Sequence, residues 1–261
     1  MQPSVHTHYS VDRFYRYVLW AALAFTPFAF FFNTELFHLL NCRRDAVALN
    51  YFFLTLTSLA DGLWVIMIAT VAQSLRPRNF GVLLLALVIG NLLLQSGKIF
   101  IDADRPLRAI GDSVCILGYP LTSRSFPSGH SFSAILLFMY LRPRHSILAG
   151  CLVLIVAILG AVSRAYVGVH FPRDIITGSL MAVAAYVAAE RFAPRLHLWQ
   201  LSAPIRSAGL IIVGAGTALI YIFAYHEKTR ELEAVLTPAA WVVAAYWALY
   251  SAYRVYAAFR R

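Results

Sequence analysis

The sequence predicts an all-α fold, a polytopic membrane helix bundle. Of its 261 residues, 60% are hydrophobic and only 13% charged, against about 25% charged in an average soluble domain. Mean hydropathy is +0.68. The apolar residues fall in runs close to the roughly 20 residues that a membrane-crossing helix needs. So little polar surface cannot cover a globule in water, which places the chain among membrane proteins.

Eight runs qualify, at approximately Tyr15–Phe32, Phe52–Ala72, Gly81–Lys98, Ser128–Leu141, Ile147–Arg164, Asp174–Ala189, Ala208–Tyr225 and Ala239–Tyr256. The first lacks a small-residue cleavage site and reads as a retained span. Its phenylalanines (Phe25, Phe28, Phe30, Phe31, Phe32) read as lipid-facing or interfacial-belt residues rather than a binding box. The fourth run is short, and Pro127-Ser128 marks its start as a helix N-terminus. A short span with a polar entrance is sheltered by its neighbours rather than facing lipid.

The net charge is +10. The Lys and Arg residues sit in short gaps between apolar runs, with no basic stripe and no aromatic interleaving. That placement fits lipid headgroups and excludes a nucleic-acid partner. With the gaps numbered alternately, twelve Lys and Arg lie on the side of both termini and ten on the other. Three of the ten (Lys98, Arg105, Arg164) belong to the cluster described next. The remaining bias, twelve against seven, puts both termini in the cytoplasm. The longest polar gaps, Asn33–Asn50 and Ile99–Pro127, then lie outside, and a gap as long as the second is more often functional than idle.

Three segments on that outer side carry chemistry. Lys98 to Arg105-Pro106 ends the third span, Pro127-Ser128-Gly129-His130 opens the fourth, and Ser163-Arg164 to His170 and Asp174 joins the fifth and sixth. Lys98, Arg105 and Arg164 supply three cations, and the arginines can grip phosphate oxygens with a two-pronged fork. Ser128 and Gly129 sit at a helix N-terminus, where free backbone N–H groups and the helix dipole favour an anion. His170 is the candidate nucleophile. Asp174, four residues on, is placed to hold its tautomer. His130 is left to protonate a leaving oxygen. Phosphoryl transfer rests on positioning and charge neutralisation, and these residues provide both without a metal or other cofactor.

In order and spacing these segments resemble the signature of the type 2 phosphatidic acid phosphatase family, the lipid phosphate phosphatases: K-x6-R-P, then P-S-G-H, then S-R-x5-H-x3-D. Every fixed position matches between Lys98 and Asp174. The resemblance implies a metal-independent phosphatase with His170 as nucleophile, Asp174 as its partner and His130 as general acid. It also implies Lys98, Arg105, Ser128, Gly129 and Arg164 as phosphate ligands. A six-helix phosphatase core would occupy residues 1–192. Residues 193–261, with two further spans, are an extension to which the sequence assigns no role.

The expected reaction is dephosphorylation of a membrane lipid through a phosphohistidine. Candidate substrates, in order, are a polyprenyl (undecaprenyl) diphosphate, phosphatidylglycerophosphate or phosphatidate, and a lipid A phosphate. Two alternatives remain: a phosphotransferase passing the phosphate to another lipid, and a non-enzymatic lipid-binding or transport protein. The expected location is the bacterial inner (cytoplasmic) membrane with the site facing outward, and the oligomeric state is left open.

Outside the signature, Arg108, Arg124 and Arg173 read as solvated loop charge. Asp61 lies about ten residues into the second span. An intramembrane carboxylate is paired or functional, and the expectation is a structural pair with Asn91, Gln95 or Ser96, too deep to reach the motif layer. Cys42, Cys115 and Cys151 show no metal-ligand spacing. Cys42 and Cys115 share the outer side, where the sequence allows either two thiols or a disulfide.

Overall fold

The computed structural model describes residues 5–75, 80–143, 146–196, 202–224 and 232–259. Every regular element among them is helical. In chain order they are α1 (Val5–Phe31), α2 (Asn33–Leu40), α3 (Val47–Leu59), α4 (Gly62–Leu75), α5 (Phe80–Ile101), α6 (Pro106–Ile110), a 3₁₀ turn, α7 (Gly129–Leu141), α8 (Ile147–Tyr166), α9 (Pro172–Phe192), α10 (Ala203–Ala224) and α11 (Glu233–Phe259). All eight expected runs are helical over their described residues; Tyr225, the end of the seventh, lies outside them. Six described helices are long and apolar enough to cross a membrane, and the chain is an integral membrane protein.

Two expected spans differ in form. The second is not continuous: α3 and α4 meet at 67°. Asp61 and Gly62 lie at the break, and the Asp61 carboxylate accepts the N–H of Leu63 at 2.9 Å. An aspartate accepting from the first turn starts a new helix rather than continuing the old one. The fourth, α7, has 13 residues, about 20 Å at 1.5 Å per residue, too short for a hydrocarbon core of about 30 Å. It sits inside the bundle, packed against α4, α8 and α9. Phe132, Leu136, Phe138 and Tyr140 are buried along it and join Ala182, Ala185 and Tyr186 of α9 in the main core.

The outermost faces match the apolar pattern. Phe25, Phe28, Phe30, Phe31 and Phe32 are exposed, Phe31 at 81%, as lipid-facing residues should be. α10 packs on α4 and on α11, so the extension is joined to the bundle through the second half of the broken span.

Candidate functional site

The α8–α9 connection is five residues without slack. Gly168 adopts φ +84, and a Cβ there would lie 2.3 Å from the Cys115 carbonyl oxygen, so only glycine suits both the backbone and the space. The connection is tied to neighbouring loops. Asn41 exchanges hydrogen bonds with the Cys115 backbone at 2.8 and 2.9 Å, and Leu117 donates to the Val167 carbonyl. Cys42 and Cys115 form a disulfide with Cα atoms 5.6 Å apart, which answers the question that the sequence left open.

His170 follows on this connection and is 2% exposed. Its Nε2 lies 3.1 Å from an Arg105 guanidinium nitrogen. Arginine only donates, so Nε2 presents its lone pair and the ring proton sits on Nδ1. Nδ1 faces Asp174 Oδ2 at 3.5 Å and Ser125 Oγ at 3.4 Å. Burial first, then the Arg105, Arg164 and Lys98 cations, hold the His170 imidazole well below its usual titration range, so it is neutral. Asp174 is the third residue of α9. The Phe171 N–H and the Ser125 hydroxyl donate to its Oδ2 at 3.0 and 2.5 Å, which locks the carboxylate while it caps the helix.

The cations come from three directions. Arg105 Nε donates to the Ser123 carbonyl at 2.8 Å, and one of its terminal nitrogens donates to the Val169 carbonyl at 2.9 Å. Lys98 Nζ, at the end of α5, donates to the Arg124 and Pro127 carbonyls at 3.0 and 3.1 Å, two of its three N–H bonds. Arg164, in the last turn of α8, donates to the Thr57 hydroxyl of α3 at 2.7 Å.

Ser128 caps α7, its oxygen accepting the Ser131 N–H and O–H at 3.3 and 2.8 Å. Its N–H donates to the Asp174 carbonyl at 3.0 Å. Gly178 lets α9 lie against this point, since a Cβ there would be 2.3 Å from the Ser128 carbonyl oxygen. A Cβ on Gly129 would meet nothing within 4 Å, leaving open space above the helix N-terminus.

His130, in the first turn of α7, corrects the reading of Asp61. Asn91, Gln95 and Ser96 are exposed on α5, whereas Asp61 Oδ2 lies 3.4 Å from His130 Nε2. Counting ten residues along an unbroken helix misplaced the carboxylate, because the chain turns at the α3–α4 break. Asp61, His130, Arg164, Thr57 and Ser58 share a cavity of about 130 Å³. Its apolar walls include Leu54, Leu117, Tyr221 and Leu232, the last two beyond residue 192.

Of the charges set aside, Arg108 pairs with Asp104 at 3.3 Å on an exposed face, and Arg124 is exposed. Arg173 is only half-exposed, with Nε 3.7 Å from Asp174 Oδ1, so it is more than solvated loop charge. The sequence reading missed Thr57, Ser125 and the Asp61 contact. Asp61-Gly62 within an apolar run is a breaker signal that points to the last; Thr57 and Ser125 carry no comparable mark.

Among the described residues, no three His, Cys, Asp or Glu side chains are grouped as metal ligands. Three basic side chains, a helix N-terminus and a neutral buried imidazole can take a phosphate group and attack it.

Residues 79–197 match the profile of the PAP2 superfamily. Over 155 residues the chain is 30% identical to an undecaprenyl-diphosphatase of Sulfolobus acidocaldarius, covering 58% of this chain and 73% of that protein. The crystal structure of Aquifex aeolicus LpxE superposes with TM-score 0.55 at 29% identity, covering 61% of this chain and 94% of that one.

Proposed function

The chain belongs to the PAP2 superfamily and is a membrane phosphatase, and from that premise we propose that it hydrolyses a lipid diphosphate, undecaprenyl diphosphate or a close relative, through a phosphohistidine at His170. The observation that carries the mechanism is the pair of contacts on one imidazole, Arg105 at Nε2 and Asp174 at Nδ1. They leave a neutral ring with its lone pair on the side of the cations. The diphosphate as substrate is supported by the relative from Sulfolobus acidocaldarius.

An entering phosphate takes the donors of Lys98, Arg105 and Arg164, the Gly129 N–H at the start of α7 and the Ser128 hydroxyl proton, and Arg105 gives up Nε2 in doing so. Nε2 then attacks phosphorus. The N–P bond forms, the bond to the leaving oxygen breaks, and His130 donates a proton to that oxygen. Asp174 stabilises the positive ring through the Nδ1 proton. In the second half, water gives its proton to His130, attacks phosphorus and breaks the N–P bond, releasing phosphate. The negative charge that builds up is met by fixed cations, so no metal ion is required.

Residues 1–192 are the phosphatase core, and residues 193–261 wall its cavity through Tyr221 and Leu232. The site faces outward from the cytoplasmic membrane, with both termini inside. The test is phosphate release by the purified protein across a panel of lipid mono- and diphosphates, with EDTA present and with and without an acceptor lipid. The expected result is free phosphate, fastest from a polyprenyl diphosphate and unaffected by EDTA. Loss of activity in EDTA with rescue by magnesium, or phosphate appearing only on the acceptor, would overturn it.

A further inference from the structure

A general acid must keep its proton until the leaving oxygen needs it, and the surroundings of His130 oppose that. Arg164 from α8 lines the same cavity, and Lys98 from α5, Arg105 from the α5–α6 connection and the neutral His170 from the α8–α9 connection lie near it. Positive neighbours disfavour a positive charge on a buried imidazole. The Tyr119 and Tyr221 side chains share the cavity. Among the residues lining that cavity, Asp61 is the single carboxylate.

Asp61 is fixed for this position by the chain itself. It stands at the 67° break between α3 and α4 and is 8% exposed. Its Oδ1 is occupied by the Leu63 N–H, which directs Oδ2 to His130 Nε2 at 3.4 Å. An uninterrupted second span would have no helix start at which to hold a carboxylate in this way.

We propose that Asp61 is a positioning residue for catalysis: it orients the His130 ring through Nε2, keeps the proton on it amid the cations, and leaves Nδ1 to meet the leaving oxygen. This rests on the reading of His130 as general acid. The proton that His130 gives to the leaving group is regained from the attacking water, so Asp61 is itself unchanged over the cycle.

The experiment compares Asp61→Asn, His130→Ala and the double variant on two substrates. p-Nitrophenyl phosphate has a leaving group stable without a proton; n-dodecyl phosphate has an alkoxide that needs one. Asparagine keeps an oxygen for the Leu63 N–H, so the cap survives, and the p-nitrophenyl phosphate rate reports the fold. Because His130 also takes the water's proton in the second half, which both substrates share, the rate read is leaving-group release in a single turnover: Asp61→Asn is expected to lower it for dodecyl phosphate roughly 10- to 100-fold, part of the 10²–10⁴ that general acids contribute, while changing it for p-nitrophenyl phosphate less than about 3-fold. The alkaline limb of that single-turnover profile for dodecyl phosphate should move to lower pH, and the double variant should be no slower than His130→Ala alone. Equal slowing of both substrates with an unmoved pH profile, or wild-type rates on both, would overturn the role of Asp61 while leaving His130 in place. If His130→Ala itself discriminates between the substrates no better than wild type, the general-acid assignment falls, and the Asp61 proposal with it.

Discussion

The α8–α9 connection and the α3–α4 break border one cavity, and they hold their charged groups by different means. At the connection, His170 and Asp174 are four residues apart, and the start of α9 sets their geometry. At the break, Asp61 meets His130 and Thr57 meets Arg164, the latter pair 107 residues apart in sequence. The first arrangement is local and rigid. The second depends on a helix interrupted at the right depth and on its packing against α7 and α8. The proposed nucleophile thus sits in a unit that the local sequence dictates, and the proposed acid in one that only the assembled bundle creates.

That difference decides what was legible beforehand. The eight apolar runs, the three motifs and the start of α7 at Pro127-Ser128 were readable because each is a short-range pattern: hydrophobic length, a cap, a fixed spacing. The i, i+4 relation of His170 and Asp174 was readable for the same reason. The Asp61 contact was not, because depth was counted along a span assumed straight. Thr57 and Ser125 were invisible, since a hydroxyl that meets a partner across the bundle looks like any other small polar residue in sequence. The Cys42–Cys115 bond stood between these cases, with the shared side legible and the distance not.

Changes at the two borders should separate them, beginning with the largest effect. His170→Ala is expected to lower kcat by roughly 10³-fold or more on every substrate, good leaving group or poor, because the loss is of the attacking atom. Steady-state rates on p-nitrophenyl phosphate and a lipid diphosphate, with the melting temperature as a fold check, measure this. A near-wild-type rate would remove His170 from the chemistry.

Replacing Cys42 and Cys115 together by serine should cost about 2–4 kcal/mol, because their bond closes a loop across 73 residues. The expected outcome is a lower melting temperature with activity retained at low temperature, since the bond ties loops behind the α8–α9 connection and touches no proposed phosphate ligand. An unchanged melting temperature would show that packing alone orders that border.

Thr57→Val removes the hydroxyl acceptor of Arg164 and should weaken phosphate binding about tenfold, or about 1.4 kcal/mol, near the low end for a hydrogen bond to a charged group. The inhibition constant of vanadate reads it, and no change would uncouple the broken span from the phosphate site.

Leu232→Trp narrows the apolar wall contributed by the extension. It should raise KM several-fold for a long-tailed lipid, about 1 kcal/mol of overpacking, and leave p-nitrophenyl phosphate alone. Equal effects on both would mean that the extension does not select the lipid.

The smallest effect concerns pH. His170 titrates well below its usual range in the folded protein, chiefly through burial and then through Arg105, Arg164 and Lys98. Below about 6.5 the unfolded chain takes up a proton there that the folded chain refuses. Its contribution to stability is therefore present above that pH and lost as pH falls. Melting temperature should drop less between pH 7 and pH 5 in His170→Asn than in the parent protein, and parallel slopes would contradict the neutral, buried imidazole.

The most direct test is to catch the intermediate itself. Rapid quenching in alkali of the protein mixed with a lipid diphosphate carrying ³²P at its terminal (β) phosphorus, followed by proteolysis and mass spectrometry, reads where the label sits. The account predicts an acid-labile, alkali-stable phosphoramidate on the peptide containing His170, absent from His170→Ala and accumulating in His130→Ala with p-nitrophenyl phosphate as donor. Label on another side chain, or full turnover with no labelled peptide at any quench time, would contradict it.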